Sequence, residues 1–395
     1  MVYWSNWSGR QRIKPGQLCF VRSEADAQAL IRNACANNTR IRIAGAGHSH
    51  SELVANEGII MDTSGLAGVI DLNTGDKTAW VWAGTKIYAL GRPLHDAGLA
   101  LANQGDIDRQ AIGGACSTGT HGTGQGLKNL SAQVTGARVI LASGEIVDCD
   151  LQKEPHTFEV ARLSLGALGL ITRLKLQLRE SYKLKELGFN ATYADIRERI
   201  GELTDENERF EFFWYPQSDE ATVKVINETT DAPTYPLSAE GARVAYNYEV
   251  LPNHRPHLHT EMEYSIPAED GPECFAAIRG LLRHQFPDVM WPVEYRTVAA
   301  DDVWLSMAYE RPTVTISVHQ DVKQDETEYY RACESIFLDY GGRPHWGKVN
   351  YLGADALARA YPRWQDWWKV RDGLDPTGMF LNDYLAALSP ARHTR

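Results

Sequence analysis

Between residues 19 and 179, short apolar runs are punctuated by glycine and their spacing changes from segment to segment. Ser23 precedes Glu24 and Asp26, with Ala27, Leu30 and Ile31 at helical spacing, which predicts a capped helix running through Asn33. Residues 40–44 follow as a strand. Residues 78–83 alternate polar and apolar positions as a half-buried strand does, and residues 86–97 have helical spacing. Residues 134–142 and 145–149 flank Ser143-Gly144, the pattern of a hairpin, and residues 163–169 lead into an alternating strand over 170–178. Beyond Glu180 the composition shifts toward charge. Alternating segments at 183–191, 210–215, 259–266, 293–298 and 313–319 mix with helical stretches at 193–203 and 271–285. Strands and helices without strict succession predict an α+β second domain. The tail over 343–388 is rich in aromatic residues.

Composition changes this picture only at its margins. A chain of 395 residues exceeds one small core and predicts two domains. The net charge of -11 argues against a nucleic acid or an anionic membrane as partner, while leaving room for a local pocket that takes an anion. No apolar run is long enough to span a membrane, and the first ten residues lack the apolar core of a signal peptide, so a cytoplasmic protein is expected. Six scattered cysteines without C-x-x-C spacing read as reduced thiols rather than a zinc site or disulfide scaffold. The eleven tryptophans read as buried structural aromatics.

Two glycine-rich segments carry the candidate binding chemistry. In Arg42-Ile43-Ala44-Gly45-Ala46-Gly47-His48-Ser49 an apolar strand runs into a tight turn, where glycine lets the backbone approach a ligand and turn successive N–H groups toward a phosphate. The dinucleotide fingerprint G-x-G-x-x-G would need glycine where His50 stands, so a phosphate cradle and a nicotinamide loop both stay open at this point. The second segment, residues 113–124, adds the hydroxyls of Ser117, Thr118, Thr120 and Thr123 to its backbone donors; it suits a pyrophosphate or a polar ring edge, or equally an inter-strand loop.

Further along, the period-two rule puts Glu294 and Arg296 on one face of a strand, and Ser317 and His319 on one face of another. Facing a cavity, such a set suits binding and deprotonating an alcohol; facing solvent, it is an ordinary ion pair with an unrelated histidine. Lys348, after His345-Trp346-Gly347, either enters a pocket as an oxyanion stabiliser or stands exposed behind a buried tryptophan. His254, His257 and His259 sit in a proline-broken, arginine-interleaved context that favours a solvated loop over a metal site.

Taken in order, residues 44–49, 113–124, Leu165-Gly166-Ala167-Leu168-Gly169-Leu170-Ile171, Glu294-Tyr295-Arg296, His345-Trp346-Gly347-Lys348 and Phe380-Leu381-Asn382-Asp383-Tyr384 resemble the FAD-dependent oxidases of the vanillyl-alcohol oxidase superfamily, in the aldonolactone and alditol branch. The resemblance runs from about residue 4 to 388. It implies an α+β, two-domain flavoprotein: an FAD-binding domain over 1–180, a cap or substrate domain over 181–342, and a segment over 343–395 returning to the cofactor. It implies FAD held covalently through His48, with contacts from Ile43, Ala44, Gly45, Ala46, Gly47, Ser49, Gly114, Thr118, Gly119, Thr120, His121 and Ile171, and no metal.

The implied reaction is hydride transfer from a carbinol carbon to flavin N5, with oxygen as acceptor. By the same resemblance Arg296 and Lys348 supply positive charge, Glu294 orients them and the substrate hydroxyls, and His319 is a polar contact or proton acceptor. The identity of the base stays open. Alditol oxidases tend to carry histidine and threonine where Ser317 and His319 stand here, so the expected substrate is a sugar 1,4-lactone, with a polyol second. Two other readings are kept: a nicotinamide-dependent dehydrogenase, and a flavin-binding protein without turnover.

Overall fold

A computed structural model describes residues 2–390. Near the N-terminus the strands Gln17–Phe20, Ile59–Asp62 and Ile41–Ala44 form a parallel sheet in that order. The helix Glu24–Ala36 returns the chain between the outer two strands, and its N-terminus is closed by Ser23 Oγ accepting from the Asp26 N–H at 3.1 Å. Beside it lies an antiparallel sheet ordered Ile146–Cys149, Val134–Ile140, Leu170–Gln177, Thr78–Trp82 and Val69–Asn73. One guanidinium ties these parts together. Arg42, fully buried, donates to the carbonyls of Leu53 (2.6 Å), Leu165 (2.6 Å), Gly166 (2.8 Å) and Phe380, so strand Ile41–Ala44, the 165–166 turn and the C-terminal segment share one anchor.

The second sheet has eight strands, every neighbouring pair antiparallel: Val244–Tyr246, Lys183–Thr192, Glu220–Glu228, Arg209–Tyr215, Val293–Val298, Thr313–Asp321, His259–Pro267 and Arg343–Pro344. Its strands are two-faced. Phe210, Phe212, Trp214, Met262, Tyr264, Val293, Tyr295, Ile316 and Val318 pack under the helices Tyr193–Glu206, Gly271–Gln285 and Thr327–Asp339. The alternate residues Glu211, Glu261, Glu263, Glu294, Arg296, Ser317 and His319 therefore project from the other face. That face is also buried.

The aromatic tail is packing material for the first domain. Trp346, Trp364, Trp367 and Trp368 join its core, as do Val303, Trp304, Leu305 and Met307 from a loop that leaves the eight-stranded sheet. All six cysteines are free. Among the described residues no helix is long and apolar enough to cross a membrane.

Several elements differ from expectation. The glycine-rich segment over 113–124, for which an inter-strand loop is one of the open readings, begins inside the helix Ile112–Thr118. Two glycines hide it from a propensity argument, yet Gly113 is needed for packing: a Cβ there would lie 2.8 Å from Ala83 Cβ and 2.9 Å from Ala83 O. The helix ends at Gly119 in the left-handed region (φ 77°). The strands Ile59–Asp62 and Glu220–Glu228 and the helix Thr327–Asp339 were not foreseen. The first strand carries three buried residues in succession, so it shows no alternation, and the second buries Lys224 where a polar-out reading expects solvent.

Candidate functional site

The turn after strand Ile41–Ala44 opens onto a cavity with a water-accessible volume of about 100 Å³. Ile43, Gly45, Ala46, Gly47, His48 and Ser49 form one wall; Gly114, Thr118 and Ile171 face them. Gly47 has φ +69°, which a residue with a Cβ adopts only at a cost, and a Cβ at Gly45 would stand 3.1 Å from that of Ala111. Among the described residues none of the N–H groups of residues 46–49 has a protein acceptor. An apolar-lined cavity with unspent backbone donors at one wall fits a nucleotide pyrophosphate. Gly114 completes the fit, since a Cβ there would meet nothing within 4 Å and the helix backbone is open to a ligand.

His48 stands at the edge of this cavity and also lines a neighbouring opening shared with His50, His259, Glu261 and Lys348. Its ring stacks on Trp7 (5.8 Å between centroids, 27° between planes). Burial, reinforced by the charges of Lys348 and Lys86, lowers its pKa to about 4, so the imidazole is neutral near pH 7 and keeps a nucleophilic nitrogen.

The polar face of the eight-stranded sheet closes over a second, larger cleft. Register makes its chemistry. Glu294 lies opposite Ser317, Ser317 opposite Glu263, Glu261 opposite His319, and Glu211 opposite both Arg296 and Lys224. Lys348 reaches this face from the C-terminal segment and donates to Glu261 Oε2. Burial opposes charge on both partners, but the attraction prevails: the Lys348 ammonium is held above its ordinary pKa and the Glu261 carboxyl well below its own.

One guanidinium serves three carboxylates nearby. Arg296 lies 2.9 Å from Glu211, 2.6 Å from Glu294 and 3.6 Å from Asp106. Glu211 also pairs with Lys224 at 2.5 Å; burial would raise its pKa, but Lys224 and Arg296 bring it down to about 2. Glu294 goes the other way. Burial and the charges on Glu211, Asp106 and Glu261 outweigh Arg296 and push its pKa well up, toward the protonated form. Its Oε1 is close to Arg296 yet poorly aligned, and lacks a hydrogen-bond partner. A neutral carboxyl so placed can donate to a ligand oxygen.

His319 has a fixed tautomer. Its Nδ1 lies 2.8 Å from the Pro292 carbonyl, which can only accept, so Nδ1 carries the proton and Nε2 presents a lone pair toward the cleft, 3.7 Å from Glu261. Burial lowers the pKa of this ring to about 4 against the pull of Glu261. A neutral imidazole, an ammonium and a carboxyl of raised pKa converge on one cleft, which is equipment for handling an alcohol proton.

The structure therefore separates the residues selected from sequence. Glu294, Arg296, His319 and Lys348 come together in the second cleft. Residues 43 and 45–49, Gly114, Thr118 and Ile171 line the first cavity. Ala44 is buried in its strand, and a Cβ on Gly119 would press on Met307. Thr120 and His121 face the second cleft instead of the first, and His121 Nε2 lies 2.8 Å from Glu263 Oε1. Glu261, Glu263 and His345 were missed. The alternation of His259-Thr260-Glu261-Met262-Glu263 carried a signal for the two glutamates, which share a face with one another. His121, Glu263 and His345 bring three ligand atoms within 4.8 Å, the spacing a metal ion needs. Glu263, however, already binds His121 and Ser317, and His345 Nδ1 accepts from the Gly347 N–H at 2.9 Å. The cluster is wired as a hydrogen-bond network.

The family described as FAD binding domain matches residues 15–150, and the family D-arabinono-1,4-lactone oxidase matches residues 235–388. An L-gulono-1,4-lactone dehydrogenase of Mycobacterium tuberculosis is 36% identical over 421 residues, covering 96% of this chain and 97% of the relative. An alditol oxidase of a Streptomyces species is 29% identical over 87% of this chain and 89% of its own. In fold, a solvent-stable cholesterol oxidase superposes with a TM-score of 0.87 at 17% identity, over 98% of this chain and 97% of that one.

The adjacent glycines 113 and 114 separate packing from ligand space. Gly113→Ala is expected to lose about 1–3 kcal/mol through overpacking against Ala83, read as a lower thermal midpoint. Gly114→Ala is expected to keep the midpoint of the FAD-free protein while lowering flavin content per chain, measured from absorbance.

Proposed function

Because the chain belongs to the aldonolactone oxidase branch of the vanillyl-alcohol oxidase superfamily of FAD-dependent enzymes, we propose that it oxidises a carbinol carbon of a sugar 1,4-lactone, with a polyol as the second candidate. Molecular oxygen is the proposed acceptor. The observation that carries this reading is the neutral His319 Nε2 beside the Lys348–Glu261 pair, in a cleft adjoining the cavity with the unspent backbone donors.

Bound FAD supplies the two-electron acceptor for the carbinol hydride. Residues 43 and 45–49 and Gly114, Thr118 and Ile171 are proposed to hold it, with Ala44, Gly119, Thr120 and His121 supporting that wall from behind or from the substrate side. His48, neutral and stacked on Trp7, is the proposed covalent tether. His319 takes the substrate hydroxyl proton at Nε2, and Lys348 stabilises the oxygen as negative charge develops there. Protonated Glu294 donates to a substrate hydroxyl, while Arg296, committed to Glu211, holds Glu294 in place. Ser317, spent on Glu263 at 2.8 Å, orients that carboxylate. We read residues 1–180 as the FAD-binding domain, 181–342 as the cap and 343–395 as the returning segment; the core under the eight-stranded sheet, drawn from residues 193–337, supports the cap as a unit. A cytoplasmic setting suits six unpaired cysteines.

The name of the mycobacterial relative favours a second reading, in which electrons leave to an acceptor other than oxygen. Anaerobic mixing with a panel of lactones and polyols decides substrate and acceptor in turn. Bleaching of the flavin by a sugar lactone is expected, and colour should return on admitting air; bleaching that persists in air selects the dehydrogenase. Flavin should stay with the protein on acid precipitation, and His48→Ala should release it. Colourless protein after expression with ample flavin would sink the whole reading.

The proton acceptor has a pH signature. Protonation of His319 removes the lone pair, so kcat/KM is expected to fall on the acid side near pH 4, well below the limb near 6.5 of an ordinary histidine. His319→Gln should lower kcat/KM by about 10²–10⁴ and abolish that limb.

A further inference from the structure

The polar face of the eight-stranded sheet continues well past the reacting end. Register sets Ser317, Glu294, Phe213, Thr222 and Asn190 side by side on five successive strands. At about 4.8 Å per step this row is roughly 19 Å long. The cleft follows it, lined at one end by His319 and Lys348 and at the other by Phe213, Tyr215, Thr222 and Asn190. Its water-accessible volume is about 660 Å³. Pockets that enclose drug-sized ligands span about 300–1,000 Å³, and a six-carbon lactone is smaller than such ligands. Reserving the inner end for a flavin ring leaves the outer half of the row without an occupant.

The outer half has its own chemistry. Phe213 is half-buried on a face otherwise made of charges, hydroxyls and an amide, and Tyr215, two residues on, is 39% exposed. The Arg255 guanidinium lies over the Phe213 ring at 5.2 Å and fixes its plane. Thr222 Oγ1 bonds Asn190 Oδ1 at 3.2 Å, which orients the Asn190 NH₂ group. Charges here are spoken for: Lys224 contacts Glu211 at 2.5 Å and Glu240 at 3.2 Å, and Arg255 contacts Asp106 at 3.3 Å and Glu240 at 3.4 Å. A wet aromatic face edged by neutral donors and acceptors suits the C–H face and hydroxyls of an uncharged sugar ring.

We propose that the outer half of the cleft is a second sugar subsite, and that the preferred substrate is a neutral two-ring carbohydrate: a glycosylated polyol or glycosylated sugar lactone. The carbinol to be oxidised lies at His319 and Lys348, and the glycosyl ring stacks on Phe213 and Tyr215. This rests on the oxidase reading above and extends it to substrate size.

The test compares maltitol, lactitol and isomaltitol with D-sorbitol, and lactobionolactone with D-glucono-1,5-lactone, on the flavin-loaded enzyme. Turnover gives kcat/KM, and anaerobic perturbation of the flavin spectrum gives binding where turnover is slow. A glycoside preferred over its matched monosaccharide by tenfold or more is expected, with Phe213→Ala or Tyr215→Ala reducing that ratio toward one through KM. Monosaccharides that match or exceed every glycoside overturn the subsite and leave the oxidase reading intact. A ratio unmoved by both variants also overturns it. Failure of every compound to bleach the flavin counts against the oxidase reading, and the binding ratio then judges the subsite by itself.

Discussion

A sheet buried on both faces, with one face charged, is held by one constraint: each charge must find its opposite one strand away. Glu211 meets Lys224 on one side and Arg296 on the other, and Glu261 meets Lys348 across the join to the C-terminal segment. Leaving any of these buried charges unpaired costs several kcal/mol, so cross-strand pairing sets the permissible register. The same pairing leaves one carboxyl in surplus. The pKa of Glu294 is pushed up in consequence, and the requirement of stability becomes a chemical property of the cleft.

Two cavities with different linings divide the work. The first is built from backbone: glycines with little side-chain bulk, N–H groups without acceptors, and a strand end anchored from behind by Arg42. The second is built from side chains whose protonation states are pushed away from their ordinary values by burial and by one another. Backbone donors cannot titrate, so they suit the permanent negative charge of a pyrophosphate. Side chains of tuned basicity suit a substrate that must lose a proton. His48 lies between these regimes, its ring stacked on Trp7 and made neutral by burial and two lysines.

Much of the candidate site was legible before any coordinates, for definite reasons. Period-two alternation placed Glu294 with Arg296 and Ser317 with His319 correctly, because an antiparallel strand buried under helices on one side leaves no other choice of face. The glycine turn was legible because positive φ and close approach exclude most other residues. Legibility failed where a contact comes from distant sequence. The partner of His121 is Glu263, and the helix Ile112–Thr118 is stabilised by fitting against Ala83 in spite of its glycines. Glu261 needed Lys348 beside it to acquire meaning, and those residues meet only through packing of the tail.

By itself, then, the sequence determined the elements whose pattern repeats locally: the two-faced strands, the glycine turn with its histidine, the α+β character of the second domain and the aromatic make-up of the tail. Tertiary structure alone decided which carboxyl has its pKa pushed up, which nitrogen of His319 is free, that His121 faces the second cleft, and how far that cleft extends beyond Glu294. The physical reason is range. Alternation and turn geometry act between near neighbours in the chain, whereas desolvation and Coulomb interaction depend on whatever the fold brings within a few ångströms, regardless of separation in sequence.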